Sequence, residues 1–297
     1  MGKKVALVLS SGGARGVAHI GVIEGLIDHG FEITSIAGSS MGSVVGAFHA
    51  CGKLPEFKEW ICNLDRVEVF KLIDFTFSSQ GFIRGEKVFK NLEKVIPDRP
   101  IEEMQIPFIA VSTDLNTQKE KVFDSGSMYH AIRASVAIPT VLTPLKAGES
   151  LYVDGGVTNP VPADKVKRTK GDILVVSNVN AFKPYVSPLK KQEKRESNQY
   201  TKRLEEMMSR ISKVIPGSSS AKKKLGFFDL LNDSLDLLQD RLTSELLKQY
   251  KPGLSVEVSR QACSTFEFYR AKEIIEAGRQ AFEEALKASN LLSEPEQ

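Results

Sequence analysis

Apolar and polar positions in the first fifty residues switch between two periods. Residues 5–10 form a short apolar run ending in serine, which predicts a strand buried on both faces. A turn follows through Gly12, Gly13, Ala14, Arg15 and Gly16, and then Val17, Ile20, Ile23 and Ile27 recur at helical spacing until Gly30 stops the helix. The unit repeats: a strand is predicted over 33–37 and a helix over 41–51, closed by Gly52. Gly42 and Gly46 fall on one face of that helix, each at a cost of ~1 kcal/mol to helix formation, so a close approach of the helix to the sheet is expected. Further strands are predicted over 106–112, 151–153, 173–176 and 254–258, with helices over 86–96 and 128–137 between them. Strands alternating with helices predict an α/β fold, a mainly parallel sheet with helices on both faces.

The pattern changes after residue 180. Residues 181–224 are polar and basic, interrupted by Pro184, Pro188, Pro216 and Ser218-Ser219-Ser220, with a helix expected over 198–214; they read as a mobile or protruding insertion. From 225 to 250 a leucine-rich helix follows, and the stripe of Leu231, Leu235, Leu238, Leu242 and Leu246 is expected to face the core. The predicted organisation is an α/β core over 1–180, the basic insertion over 181–224, and a helical part over 225–297 that packs on the core and adds one strand. No internal repeat is present.

At 297 residues and 41% hydrophobic, the chain can build a substantial core. No run approaches the ~20 apolar residues of a membrane span, so neither a span nor a secretory leader is expected. Cys51, Cys62 and Cys263 form no C-x-x-C pair, which argues against disulfides and structural zinc and for a reducing cytoplasm. The net charge of +3 conceals an asymmetry. Between residues 183 and 224 twelve Lys/Arg face four Glu, giving +8 there and −5 elsewhere. Such a segment suits an anionic partner surface, either lipid headgroups or nucleic acid, or is a solvated charged linker; no recognition motif accompanies the charge, so nucleic acid is the less expected of the two.

The chemistry centres on Gly38-Ser39-Ser40-Met41-Gly42, a G-x-S-x-G sequence between a predicted strand and a predicted helix, where a sharp turn exposes a nucleophilic serine. A serine hydroxyl needs a base and donors for the oxyanion. His19, His29, His49 and His130 are the four histidines, and their contexts read as structural. The better base is Asp154, at a predicted strand end before Gly155 and Gly156; with an ordinary pKa near ~3.9, it must be desolvated and close to the serine. The Gly12 to Gly16 turn opens a helix, so amides of Gly12, Gly13 and Ala14 are positioned as an oxyanion or phosphate cradle. Arg15 either binds a lipid phosphate or braces the loop. Dinucleotide and nucleotide binding are disfavoured, since G-x-G-x-x-G, the acidic ribose ligand and Gly-Lys-Ser/Thr are all missing.

The trio Gly-Gly-x-Arg-Gly, G-x-S-x-G and Asp-Gly-Gly, in this order, resembles the patatin-like phospholipase family over roughly residues 5–180. Ala134-Ser135-Val136-Ala137-Ile138-Pro139 and Asn159-Pro160-Val161-Pro162 are similar to the segments flanking that family's catalytic Asp. The resemblance implies a three-layer α/β/α domain, a Ser–Asp dyad at Ser40 and Asp154, an oxyanion hole at Gly12 to Gly16, and no metal or organic cofactor. It is greatest to the short bacterial members, which lack a calcium-dependent lipid-binding domain. One departure is Ser10-Ser11-Gly12-Gly13 where the family often has Asp-Gly-Gly-Gly, which alters polarity without removing a donor. The expected function is lipid acyl hydrolysis of phospholipase A, lysophospholipase or esterase type, in the cytoplasm or peripherally at a membrane. Acyl transfer and a non-hydrolytic membrane-associated scaffold are the alternatives.

Overall fold

The computed structural model describes residues 2–78, 81–189, 227–289 and 291. Strand β1 (Lys4–Leu9) leads through a 3-10 turn (Gly13–Val17) into helix α1 (Ala18–Asp28), and β2 (Glu32–Ser39) leads into α2 (Met41–Ala50). Helices α3 (Leu54–Cys62) and α4 (Arg66–Leu72), strands β3 (Phe75–Ser78) and β4 (Gly81–Ile83), and helix α5 (Glu86–Val95) then form an excursion. The chain returns as β5 (Phe108–Asp114), β6 (Lys119–Phe123), α6 (Met128–Ser135), β7 (Thr140–Leu142), β8 (Leu145–Ala147) and β9 (Ser150–Asp154). It closes with β10 (Ile173–Ala181), α7 (Phe227–Tyr250), β11 (Leu254–Ser259) and α8 (Ala271–Ala288).

The main sheet has the order β11-β10-β1-β2-β5-β9-β8, with β6 also paired to β5. The pairs from β11 to β5 are parallel, and those of β6, β8 and β9 are antiparallel. Both faces of β1 are buried: Val5, Leu7 and Leu9 join one core, while Ala6 and Val8 join the other. The first core is filled by α1, α2 and α8 through residues such as Ile20, Ile23, Phe48 and Phe282. Each such side chain contributes about 1.5–3 kcal/mol by leaving water. Gly46 lies where a Cβ would come 2.9 Å from Ile36 Cγ2, so the close approach of α2 to the sheet is realised.

Two expectations change. The strand predicted over 106–112 occupies Phe108–Asp114, and an antiparallel extension grows from it that the periodicity did not announce. The leucine stripe of α7 is not a core stripe: Leu238 is 60% exposed, Leu231 and Leu242 are also exposed, and Leu246, with Leu247 and Tyr250, packs on the second core. Polar contacts turn the helix. Asp240 Oδ1 lies 2.5 Å from Arg260 Nη2, and Gln239 packs beside Gly156, so this polar side faces the protein. The expected helix over 198–214, and residues 190–224 of the basic segment, lie outside the described residues. Among the described residues no helix is long and apolar enough to cross a membrane.

Candidate active site

Register on β5 explains why Ser40 and Asp154 meet. Strand β2 pairs in parallel with β5 as far as Ser39 opposite Val111, and β9 pairs antiparallel, ending with Asp154 opposite Ser112. Strand β6 pairs with residues 110–114 of β5, overlapping both partners, so it must occupy the other edge. Strands β2 and β9 therefore share one edge of β5 and approach end to end at consecutive residues. The break between them holds Ser40 and Asp154.

At this break Ser40 adopts φ 53° and ψ −126°, and α2 begins at the next residue. Positive φ in a non-glycine residue costs on the order of 1–3 kcal/mol and persists only where its surroundings enforce it. Close packing does so here. A Cβ on Gly42 would stand 2.3 Å from the Leu9 carbonyl oxygen, and one on Gly155 would stand 2.1 Å from that of Val111. Gly38 packs in the same manner against the carbonyl of Gly42, and Gly16 packs against the Met41 side chain. Ser43 Oγ donates to the Ser40 carbonyl at 2.6 Å, and Ser135 Oγ accepts from the Ser40 amide at 2.9 Å.

Ser40 Oγ donates to Asp154 Oδ2 at 2.5 Å, and Gly156 N donates to Asp154 Oδ1 at 2.7 Å. Asp154 is only 3% exposed. Burial pushes its carboxyl up to about 6, against the opposing effect of the hydrogen bonds from Ser40 and Gly156. At neutral pH the group is mostly ionised, yet it is a stronger base than an exposed aspartate. The amide of Asp154 donates to the Ala137 carbonyl at 2.9 Å, and Thr113 Oγ1 donates to the Asp154 carbonyl at 3.1 Å, so the carboxylate is carried on a fixed backbone.

The glycine turn is tied on several sides. Ser10 N donates to Ser177 O and Ser11 N to Pro160 O. His19, fully buried, has Nε2 at 2.9 Å from Ser10 O and Nδ1 at 2.8 Å from Ser177 Oγ. A carbonyl can only accept, so Nε2 carries the proton and Nδ1 accepts; burial pulls the ring's pKa down to about 4, and it is neutral. Both ring nitrogens are engaged, which leaves neither to serve as base for Ser40. Arg15 turns towards the loop's support: its Nε and Nη2 donate to Asn180 Oδ1 at 3.1 and 2.9 Å, while Asn180 Nδ2 donates to Ser11 O at 2.7 Å. Of the two roles weighed for Arg15, bracing matches this geometry.

One expected donor is corrected. The Ala14 amide donates to the Thr265 carbonyl at 2.9 Å and is not available to an oxyanion. Gly12 and Gly13 amides have no hydrogen-bond partner among the described residues. Gly13 has φ +54°, and Gly12 packs against Val179. The Ser11 hydroxyl is likewise buried without a partner among the described residues.

From Ser40 a cavity of about 160 Å³ extends between α2, α3, α5 and the 264–268 loop. Val44, Phe57, Trp60, Phe89, Ile138 and Phe266 contribute to a wall that is almost entirely apolar. A dry apolar cavity of ~150 Å³ suffices to hold benzene, so this one suits hydrocarbon. Sequence reasoning missed Thr265, Asn180 and the part played by Ser135. Ser135 lies in the Ala134 to Pro139 motif, whereas nothing local signals Thr265 or Asn180, which reach the loop across more than 160 residues.

The patatin-like phospholipase family profile matches residues 7–167. An uncharacterised NTE family protein of Mycobacterium tuberculosis (strain ATCC 25618 / H37Rv) is 32% identical over 332 residues, covering 96% of this chain and 92% of its own length. Patatin-like phospholipase domain-containing protein 6 of Homo sapiens is 32% identical over 184 residues, covering 59% of this chain and 13% of that protein. Among solved structures, VipD from Legionella pneumophila is similar with a TM-score of 0.45 and 12% identity, over 96% of this chain and 67% of that one.

Proposed function

The chain belongs to the patatin-like phospholipase family, and on that premise we propose that it is a lipid acyl hydrolase working through a Ser40–Asp154 dyad. What carries the reading is one contact: the 2.5 Å hydrogen bond from Ser40 Oγ to Asp154 Oδ2, with Ser40 in the wall of an apolar cavity. The cavity takes the acyl chain and brings its ester carbonyl to Ser40. As Ser40 Oγ attacks the carbonyl carbon, its proton passes to Asp154 Oδ2. The resulting oxyanion accepts from the Gly12 and Gly13 amides, reinforced by the positive end of the α2 dipole. Each such donor is worth about 2.7–4 kcal/mol in the transition state. Collapse breaks the ester bond, and the leaving alcohol takes the proton from Asp154. Water then attacks the acyl-Ser40 carbonyl, gives its proton to Asp154, and the fatty acid leaves as Ser40 recovers a proton.

The test is a panel of phospholipids and simple acyl esters, with released fatty acid read by mass spectrometry for wild type and Ser40→Ala. Wild-type release that vanishes in the variant is expected. Equal release from both, acyl transfer to an alcohol without free acid, or vesicle binding with no Ser40-dependent product would each overturn the assignment. The charge of residues 183–224 supports contact with an anionic lipid surface. Flotation with anionic vesicles should be lost at high salt; salt-independent binding contradicts that contact.

A further inference from the structure

We propose that Ser135 is the positioning residue of the nucleophile, its hydroxyl bridging the gap between β2 and β5 where the strand ladder stops. The inference rests on the reading of Ser40 as nucleophile. Strand β2 ends at Ser39, so the Ser40 amide has left the ladder while remaining buried. A buried N–H needs an acceptor. Ser135 Oγ supplies it at 2.9 Å and donates its own proton to the Val111 carbonyl at 2.6 Å, the residue opposite Ser39 in the sheet. The bridge thus reads amide, hydroxyl, carbonyl, with all three groups satisfied.

The bridge fixes the amide side of a strained backbone that glycine packing confines but does not hydrogen-bond. Ser40 is held at φ 53°, and rotation towards an ordinary negative φ swings its Cα–Cβ bond, carrying Oγ away from Asp154 Oδ2. Ser135 is the last residue of α6, fully buried, and its neighbour Ala134 accepts from Ser112 Oγ. The support is therefore rigid. Ser135 does not line the apolar cavity, so substrate binding does not depend on its hydroxyl.

Ser135→Ala removes the bridge and leaves the buried Ser40 amide and Val111 carbonyl without this partner, with a residue that favours the helix. Misplacement of a reacting atom by about 1 Å costs on the order of a hundredfold in rate, so kcat for an acyl ester is expected to fall between about tenfold and a hundredfold. KM should stay within a factor of two, and the rate of Ser40 labelling by a fluorophosphonate should fall with kcat. Ser135→Cys keeps the shape with a weaker acceptor and should lie between the two, which also covers an alanine variant that folds poorly. An unchanged labelling rate in a variant of lowered Tm would make Ser135 merely structural and overturn the inference. So would a rise in KM at constant kcat. A wild type that neither turns over nor labels would instead overturn the hydrolase reading, and this inference with it.

Discussion

Asp154→Asn separates the chemistry of the carboxylate from its cost to the fold. The native carboxyl titrates at about 6 against an ordinary 3.8, so the folded chain holds this proton more tightly than the unfolded chain does. The stability supplied by that proton is complete below the unfolded value of 3.8 and is lost as pH rises through about 6. At about 1.36 kcal/mol per pH unit between those two values, ionisation costs the native state about 1 kcal/mol at pH 4.5 and about 3 kcal/mol at pH 7.5. Asparagine keeps the shape, still accepts from Gly156 through its oxygen, and bears none of this cost. Its stability relative to wild type should therefore improve by about 2 kcal/mol between pH 4.5 and 7.5. Denaturant unfolding of both proteins at matched pH, with turnover measured on the same samples, reads both effects. Any fixed change in hydrogen bonding alters the difference equally at every pH and leaves its slope intact. A difference that is flat with pH, or that grows towards acid, refutes a buried carboxyl with a raised pKa.

The same titration sets the rate profile: protonated Asp154 is a neutral acid, far too weak a base to take the Ser40 proton, so kcat/KM should fall tenfold per pH unit below about pH 6. An acid limb centred near pH 4 contradicts the role. Gly42→Ala places a Cβ 2.3 Å from the Leu9 carbonyl oxygen and should lower stability by on the order of 1–3 kcal/mol; an unchanged denaturation midpoint refutes that packing argument. Ile138→Phe narrows the apolar cavity and should move preference towards shorter acyl chains, by about tenfold or more in the ratio of kcat/KM values, whereas an unchanged ratio places the chain elsewhere.

Much of the fold was legible because its signals are local. The apolar run of β1, the glycine turn and the helical recurrence of Val17, Ile20 and Ile23 each declare themselves within a few residues, and the parallel half of the sheet follows from them. The antiparallel extension was less visible. Strand β6 reads Lys-Glu-Lys-Val-Phe, too short and too charged to stand out by periodicity. Register is nonlocal altogether: that Ser39 and Asp154 fall opposite neighbouring residues of β5 depends on three strands at once. The candidate residues could be named from motifs, but their bonding could not. Ala14 lies in a turn that opens a helix, where the first amides are expected to be free, yet a carbonyl 251 positions later claims its amide. In α7 the leucine stripe suggested a buried face, and the Asp240–Arg260 ion pair with its polar neighbours decided otherwise.

The central claim is that Ser40 becomes covalently acylated with Asp154 as its base. Intact-protein mass spectrometry after brief exposure to a long-chain aryl ester, followed by peptide mapping, addresses it directly. The account predicts one acyl adduct, located on Ser40, absent from Ser40→Ala and formed far more slowly in Asp154→Asn. Hydrolysis that proceeds without an adduct on Ser40, or an adduct that forms at the wild-type rate in Asp154→Asn, would contradict it.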